Sequence, residues 1–218
     1  NSIYGYVADG IFKTQEEVDN SPQQAGKGLG RIRYKDLDGD GRITQDYDRT
    51  WIGVSDPDFT YGLNLQASYK NVDLALFFQG VHGGDDSWIE YSDFWNIQNV
   101  NNTNHLKGVF NAWSPQNPDS NIPALSTRNT NDEKRTSTYF LKDGSYLKLR
   151  TIELGYTFPE SMVKKAMISR LRAYVSANNV FTIKKWWDSN RFSGPDPEIR
   201  DFGYVIPFTA TVGVNITF

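Results

Sequence analysis

The chain has no cysteine among its 218 residues, which excludes disulfides, thiolate metal sites and cysteine nucleophiles. Histidine is nearly as scarce. His82 and His105 are the only two, and nothing near either completes a catalytic triad or a three-ligand zinc site. Long apolar runs are missing as well. The longest clear one is Leu74 to Phe78, far short of the roughly 18 consecutive apolar residues of a membrane-spanning helix. There is no excess of positive charge: a net charge of -3 and a pI near 5.4 argue against a dedicated nucleic-acid surface. The sequence opens at Asn1 with neither initiator methionine nor signal peptide, so it leaves export undecided.

What is present is alternation. Phe208, Ala210, Val212, Val214, Ile216 and Phe218 fall on one side of an extended strand, with Thr209, Thr211, Gly213, Asn215 and Thr217 on the other, because strand side chains alternate faces. From Phe59 the same pattern recurs: Phe59, Tyr61, Leu63, Leu65, Ala67 and Tyr69 alternate with Thr60, Gly62, Asn64, Gln66, Ser68 and Lys70. Lys70-Asn71 then predicts a tight turn into Val72, Leu74, Leu76 and Phe78. After Asp143-Gly144, Leu147 and Leu149 share one parity while Ile152, Leu154, Tyr156 and Phe158 share the other, so a bulge is predicted at Arg150-Thr151. Leu171, Ala173, Val175 and Ala177 mark a further strand, and Tyr4 to Phe12 a weaker one. Strands with one greasy and one wet face, ending on an aromatic ring, suit the wall of a transmembrane barrel. The mean hydropathy of -0.58 does not oppose this, since such strands are only half apolar.

The strongest chemical motif is Asp36-Leu37-Asp38-Gly39-Asp40-Gly41. Acids at alternate positions with glycine at the sixth match the first half of an oxygen-rich calcium loop, in which Arg42 would offer its backbone carbonyl. The twelfth position is Tyr47, with Asp46 and Asp48 on either side. Asp48, reached through a one-residue bulge, is the expected closing acid. The predicted metal set is therefore Asp36, Asp38, Asp40, Arg42 and Asp48, for calcium with magnesium not excluded. The alternative is a metal-free Asp-Gly turn.

The connections are unequal. The turns at Asn71 and at Pro159 to Ser169 are short. Lys13 to Asp58, Val81 to Thr138 and Lys184 to Gly203 are long, and an outer-membrane barrel has this asymmetry, with short periplasmic turns and long outer loops. This orientation puts Tyr69, Phe158 and Phe218 near the periplasmic interface. All six tryptophans read as loop residues, and rings held in loops suggest loops that bind or fold on something. Asp85, Asp86, Glu90 and Asp93 read as a solvated acidic stretch rather than a catalytic pair, so no enzyme activity is expected. About six strands are predicted, and a single-chain barrel needs about eight or more. The chain therefore reads as the C-terminal piece of something larger.

Taken in order, several segments resemble the SusC/RagA family of TonB-dependent outer-membrane importers. They are Tyr4-Gly5-Tyr6 through Phe12, Ile32 through Gly41 with Asp48-Arg49 and Ile52-Gly53, and Asp143 through Arg150. The later ones are Leu154 through Pro159, Asn178 through Thr182, Asp196-Pro197-Glu198 and Val214 through Phe218. The resemblance implies that residues 1–218 are the last strands of a barrel of about 22 strands, without the plug domain and earlier strands, in the outer membrane of a Gram-negative bacterium. It implies a SusD-like surface lipoprotein as lid, TonB acting through the missing N-terminal part, surrounding lipid, and an oligosaccharide or peptide ligand. Trp88, Trp95, Trp113 and Trp186 are the candidates for stacking on that ligand or docking the lid. The rival reading is a soluble, calcium-stabilised β-sandwich that binds carbohydrate.

Overall fold

The computed structural model describes residues 1–87, 107–126, 133–184, 196–199 and 204–218. In chain order the strands are β1 (Ser2–Tyr6), β2 (Ala8–Ile11), β3 (Ile32–Tyr34), β4 (Arg49–Val54), β5 (Phe59–Tyr69), β6 (Val72–His82), β7 (Asp85–Ser87), β8 (Leu141–Asp143), β9 (Tyr146–Thr157), β10 (Arg170–Lys184) and β11 (Thr209–Thr217). Two short helices, α1 (Gln15–Asn20) and α2 (Glu160–Val163), join them. No described helix is long and apolar enough to cross a membrane.

The chain divides into two compact units. The first takes Asn1–Asp56, Gly84–Asp143 and Asp188–Ser193; the second takes Pro57–Gly83, Gly144–Trp187 and Gly194–Phe218.

The second unit holds a five-stranded antiparallel sheet in the order β11, β10, β9, β6, β5. Its register carries the alternation of the sequence across the whole sheet. Leu65 faces Leu76, Leu76 faces Ile152, Ile152 faces Ala177 and Ala177 faces Ala210, so one face is apolar from edge to edge. That face is uncovered: Leu63, Leu65, Leu154, Val175, Val212 and Val214 are all at least 45% exposed. The opposite face carries Asn64, Asp73, Glu153, Arg172, Ser176 and Asn215. There the Arg172 Nε donates to Asp73 Oδ1 at 3.0 Å and its Nη2 donates to Glu153 Oε1 at 2.7 Å. β5 and β6 each have 11 residues and β9 has 12, which is about the span of a tilted transmembrane strand.

The predicted bulge is present. Phe77 pairs with Thr151 and Phe78 with Leu149, leaving Arg150 without a partner on β6. On β10 the slip lies between Asn178 and Phe181, where Asn179 takes a left-handed φ of 54°. The extra residue puts Thr151, Arg150 and Lys148 on the wet side while Leu147 and Leu149 keep the apolar side. At one end of the sheet the links are short: Lys70, with φ 53°, turns β5 into β6, and α2 lies between β9 and β10. At the other end β6 and β9, and β10 and β11, are joined by long segments.

The sheet has five strands rather than about six. Tyr4 to Phe12 does not join it. The segment breaks after Tyr6 into two pieces too short to span a bilayer, and β1 pairs with β4 while β2 pairs with β3. These two small sheets lie in the first unit, where a third pairs β7 with β8. Trp51 likewise sits in β4 instead of a loop. The first unit has its own core, in which Phe12, Ile32, Tyr34 and Phe140 are almost wholly shielded from water. Its helix α1 starts with a near-reciprocal cap: the Thr14 hydroxyl accepts from Glu17 N, and Glu17 Oε2 accepts from Lys13 N at 2.6 Å, satisfying two orphan amides.

Candidate functional site

The Asp-rich turn is built from its backbone upward. Gly39 and Gly41 take φ of 77° and 82°, a conformation that costs glycine nothing and other residues strain. This folds the turn tightly enough for its amides to point at its own acids. Asp36 Oδ1 accepts from Gly39 N at 2.7 Å and Oδ2 from Gly41 N at 2.8 Å, while Asp40 Oδ1 accepts from Arg42 N at 2.7 Å. One carboxylate oxygen from each of Asp36, Asp38 and Asp40 lies within 4.8 Å of the others. Partial burial pushes the Asp36 carboxyl up, but the Gly41 and Gly39 amides outweigh it and hold the group below its ordinary value. The Asp40 amide pulls Asp38 down, yet desolvation and the neighbouring carboxylates of Asp40, Asp36 and Asp48 together raise it.

Asp48 occupies a different position. It is fully buried, its Oδ1 accepts from Leu37 N at 2.8 Å, and its Oδ2 accepts from Thr44 N at 2.5 Å and from the Thr44 hydroxyl at 3.1 Å. It closes the loop by tying its two arms together, and among the described residues it is not one of the three clustered acids.

Of the candidate tryptophans, Trp88, Trp95 and Trp186 lie outside the described residues. Trp113 is half-buried, its ring against Gly30, and its backbone amide donates to the Ile122 carbonyl at 2.8 Å. Gly30 has a φ of 73°, and a Cβ there would run into that ring. This indole anchors the core of its own unit. The open ring is one that loop reasoning passed over: Trp51 is 67% exposed, and its partner across β1 and β4 is Tyr4. The alternation of Arg49 to Val54 was the available signal. His105 is also outside the described residues. His82 stacks on Phe59 with ring centroids 5.0 Å apart, and its Nδ1 lies 3.4 Å from Asp58.

Two ionic networks went unseen in the sequence. In the first unit Glu133 is fully buried, accepts from Ile32 N at 2.9 Å and pairs with Arg31 at 3.4 Å. In the second unit the Asp196-Pro197-Glu198 segment folds onto the wet side of β9. Lys148 Nζ lies 2.6 Å from Asp196 and 2.8 Å from Glu198, Arg150 pairs with Glu198, and the Tyr146 hydroxyl donates to Glu198 at 2.9 Å. Burial pushes both acids up, but Lys148 leads a set of hydrogen bonds and positive charges that holds each below its ordinary value.

No family model matches the chain. Over its whole length it is 32% identical to TonB-dependent receptor P3 of Formosa agariphila, and over 96% of its length it is 30% identical to TonB-dependent receptor P26 of the same organism. Over 98% of its length it is 25% identical to TonB-dependent receptor SusC of Bacteroides thetaiotaomicron. The chain spans about a fifth of these relatives, 22%, 22% and 20% of their lengths. The solved structure of the RagAB peptide transporter superposes on 91% of this chain and 20% of that one, with a TM-score of 0.67 and 24% identity. The two-faced sheet is thus a section of transmembrane barrel wall, left unclosed here, from a TonB-dependent receptor. Within that class its sequence is similar to SusC and its fold to the RagAB transporter, in line with the resemblance of its segments from Tyr4 to Phe218.

Proposed function

We infer that this chain forms the C-terminal wall and outer loops of a TonB-dependent importer that takes up glycan or peptide fragments across the outer membrane of a Gram-negative bacterium. The observation that carries this reading is the five-stranded sheet with one continuous uncovered apolar face, in a chain similar from end to end to TonB-dependent receptors. The apolar face meets lipid, the wet face lines the lumen, and the long connections lie outside the cell. The chain's share of the work is non-enzymatic: it shapes the lumen and presents loops to the ligand and to a SusD-like lipoprotein lid, while TonB acts through the part of the receptor that carries the plug. Trp88, Trp95 and Trp186 are the loop rings proposed for ligand or lid contact.

Asp36, Asp38 and Asp40, with the Arg42 carbonyl, are proposed to hold a calcium ion that relieves the repulsion within the turn. A site supplying more than about six oxygens favours calcium over magnesium. Asp48 keeps the turn closed beneath it. The soluble sandwich is disfavoured because it needs Leu63, Leu65, Val212 and Val214 covered, and they stand open.

The test is uptake. Cells with and without the intact receptor are fed isotope-labelled oligosaccharides and peptides in the presence and absence of functional TonB, and the receptor is purified to find what accompanies it. Receptor- and TonB-dependent uptake with a co-purifying lipoprotein supports the reading; unchanged uptake and no companion contradict it.

A further inference from the structure

We propose that the cleft between β1, β4 and the backbone around Arg135 binds acidic oligosaccharides, that is, sugar chains bearing carboxylates. The proposal rests on the importer reading and deepens it by naming a ligand class. The cleft has a volume of about 420 Å³, and its lining includes Tyr4, Tyr6, Gln45, Arg49, Arg135 and Thr136, all in the first unit.

An aromatic platform stands at the cleft, with Tyr4 in its lining and Trp51 beside Tyr4 but outside the lining. The two are direct partners in the β1–β4 register, and their rings meet edge to face with centroids 5.0 Å apart. The Tyr4 hydroxyl donates to the Arg49 carbonyl at 2.9 Å, which fixes the ring further. Both rings nevertheless stay open to water, at 42% and 67% exposure. Rigid, exposed, amphipathic rings offer a large apolar surface to the C–H face of a sugar at little entropic cost.

The cleft also carries charge. Arg49 donates from Nε to the Gln45 carbonyl at 2.7 Å, and its guanidinium carbon lies 5.3 Å from the centre of the Tyr4 ring. The guanidinium is therefore held at one nitrogen, and its terminal nitrogens have no hydrogen-bond partner among the described residues. A planar fork in that state is prepared to donate twice to one carboxylate. Arg135 places a second guanidinium over Tyr6 and Tyr34, at 5.2 and 5.3 Å. Among the described residues no carboxylate lines the cleft, so in a chain of net charge -3 this lining favours anions.

Apart from Ile43 the lining is polar or aromatic, and among the described residues it offers no deep apolar pocket of the sort that alternate peptide side chains use, which favours sugar over peptide. The experiment is calorimetry on the intact receptor in detergent. The probes are a tetramer of galacturonic acid, the uncharged galactose tetramer, and a hexapeptide of glutamate and glycine. The acidic tetramer is expected to bind at least about tenfold more tightly than the neutral one, a difference of about 1.4 kcal/mol, and to weaken with added salt. Trp51→Ala and Arg49→Gln are each expected to weaken it by about tenfold or more. Trp51→Phe, which keeps a ring, is expected to retain most of the binding and shows that the strand pair is intact. The proposal is overturned if the acidic tetramer does not bind, if the variants bind it as the parent does, or if the hexapeptide binds more tightly through the same residues. Import is measured separately. A receptor that imports by TonB but fails these titrations loses the cleft alone, whereas one that imports nothing loses the reading beneath it.

Discussion

Lys148 Nζ lies 2.6 Å from Asp196 Oδ1, and both side chains are less than a tenth exposed. Lys148 comes from the wall strand β9 and Asp196 from the long connection that leads to β11. Glu198 and Arg150 complete the set, so this connection is held on the wet face by charge. Because the folded-state pKa values of Asp196 and Glu198 lie below their ordinary ones, the attachment is fully present above the usual carboxylate range, about pH 4. It is lost as pH falls through the depressed values. A spin label at position 197 in the intact receptor is expected to be immobile at pH 7 and pH 9 and to gain mobility below about pH 4. Lys148→Met is expected to give that mobility at pH 7. A label equally mobile at all three pH values contradicts this account.

Glu133 is the second buried acid, pairing with Arg31 and accepting from the Ile32 amide. Glu133→Ala leaves a buried guanidinium and an amide uncompensated, and removing one partner of such a pair costs about 3–5 kcal/mol. The expected readout is a large rise in the proteolysis rate of the first unit in the folded receptor, with the wall unaffected. Glu133→Gln keeps an acceptor for Ile32 and is expected to fall between the two.

The bulge fixes the facing of the upper part of β9. Deleting Arg150 takes out the residue that has no partner on β6, so plain alternation from Thr151 still puts Leu149 and Leu147 on the apolar side and Lys148 on the wet side. Deleting Leu149 instead forces either Lys148 or Arg150 onto the apolar side. A lysine or arginine on the lipid face costs from near zero at the interface to about 2–4 kcal/mol at the midplane. The receptor lacking Leu149 is expected to reach the membrane in much reduced amount, and the receptor lacking Arg150 in an amount much nearer the parent's. Gel mobility before and after heating measures the folded fraction.

The Asp-rich turn is expected to take up calcium, with Asp38→Asn weakening it and the triple Asn variant of Asp36, Asp38 and Asp40 abolishing it. Chelation is expected to speed cleavage between Lys35 and Arg42, and excess magnesium to protect less well than calcium. Absence of any calcium-dependent protection contradicts the metal proposal and leaves the backbone hydrogen bonds as the sole support of the turn.

Much of the wall was readable because its determinants are local. Alternation fixes which side chains share a face, the change of parity around Arg150 locates the bulge, and Lys70-Asn71 marks the hairpin. The first unit was not readable in that way. Arg31 and Glu133 are 102 residues apart in the chain, and β1 meets β4 across the Asp-rich turn, so neither pairing leaves a periodic trace. Tyr4 to Phe12 shows the consequence: its alternation is real, but the segment is too short and too glycine-rich to span a bilayer, and it pairs elsewhere. For the site, acid spacing located the Asp36 cluster. The charge of Asp48 is visible in the sequence, but its burial beneath the Leu37 and Thr44 amides depends on a fold of the loop that spacing does not encode. Trp51 was passed over because Arg49 to Val54 is a short strand inside a stretch dominated by turn residues.

As barrel wall, the five-stranded sheet has lipid on one side and water on the other. The chain has no cysteine, so single cysteines can be placed at will within it and labelled with a fluorophore in the intact receptor. Positions Leu65, Leu154, Val175 and Val214 form one set, and Asn64, Glu153, Ser176 and Asn215 the other. Reconstituted in bilayers with brominated acyl chains, the first set is expected to be strongly quenched and the second to stay bright. Equal quenching of both sets, or quenching of the second alone, contradicts the account.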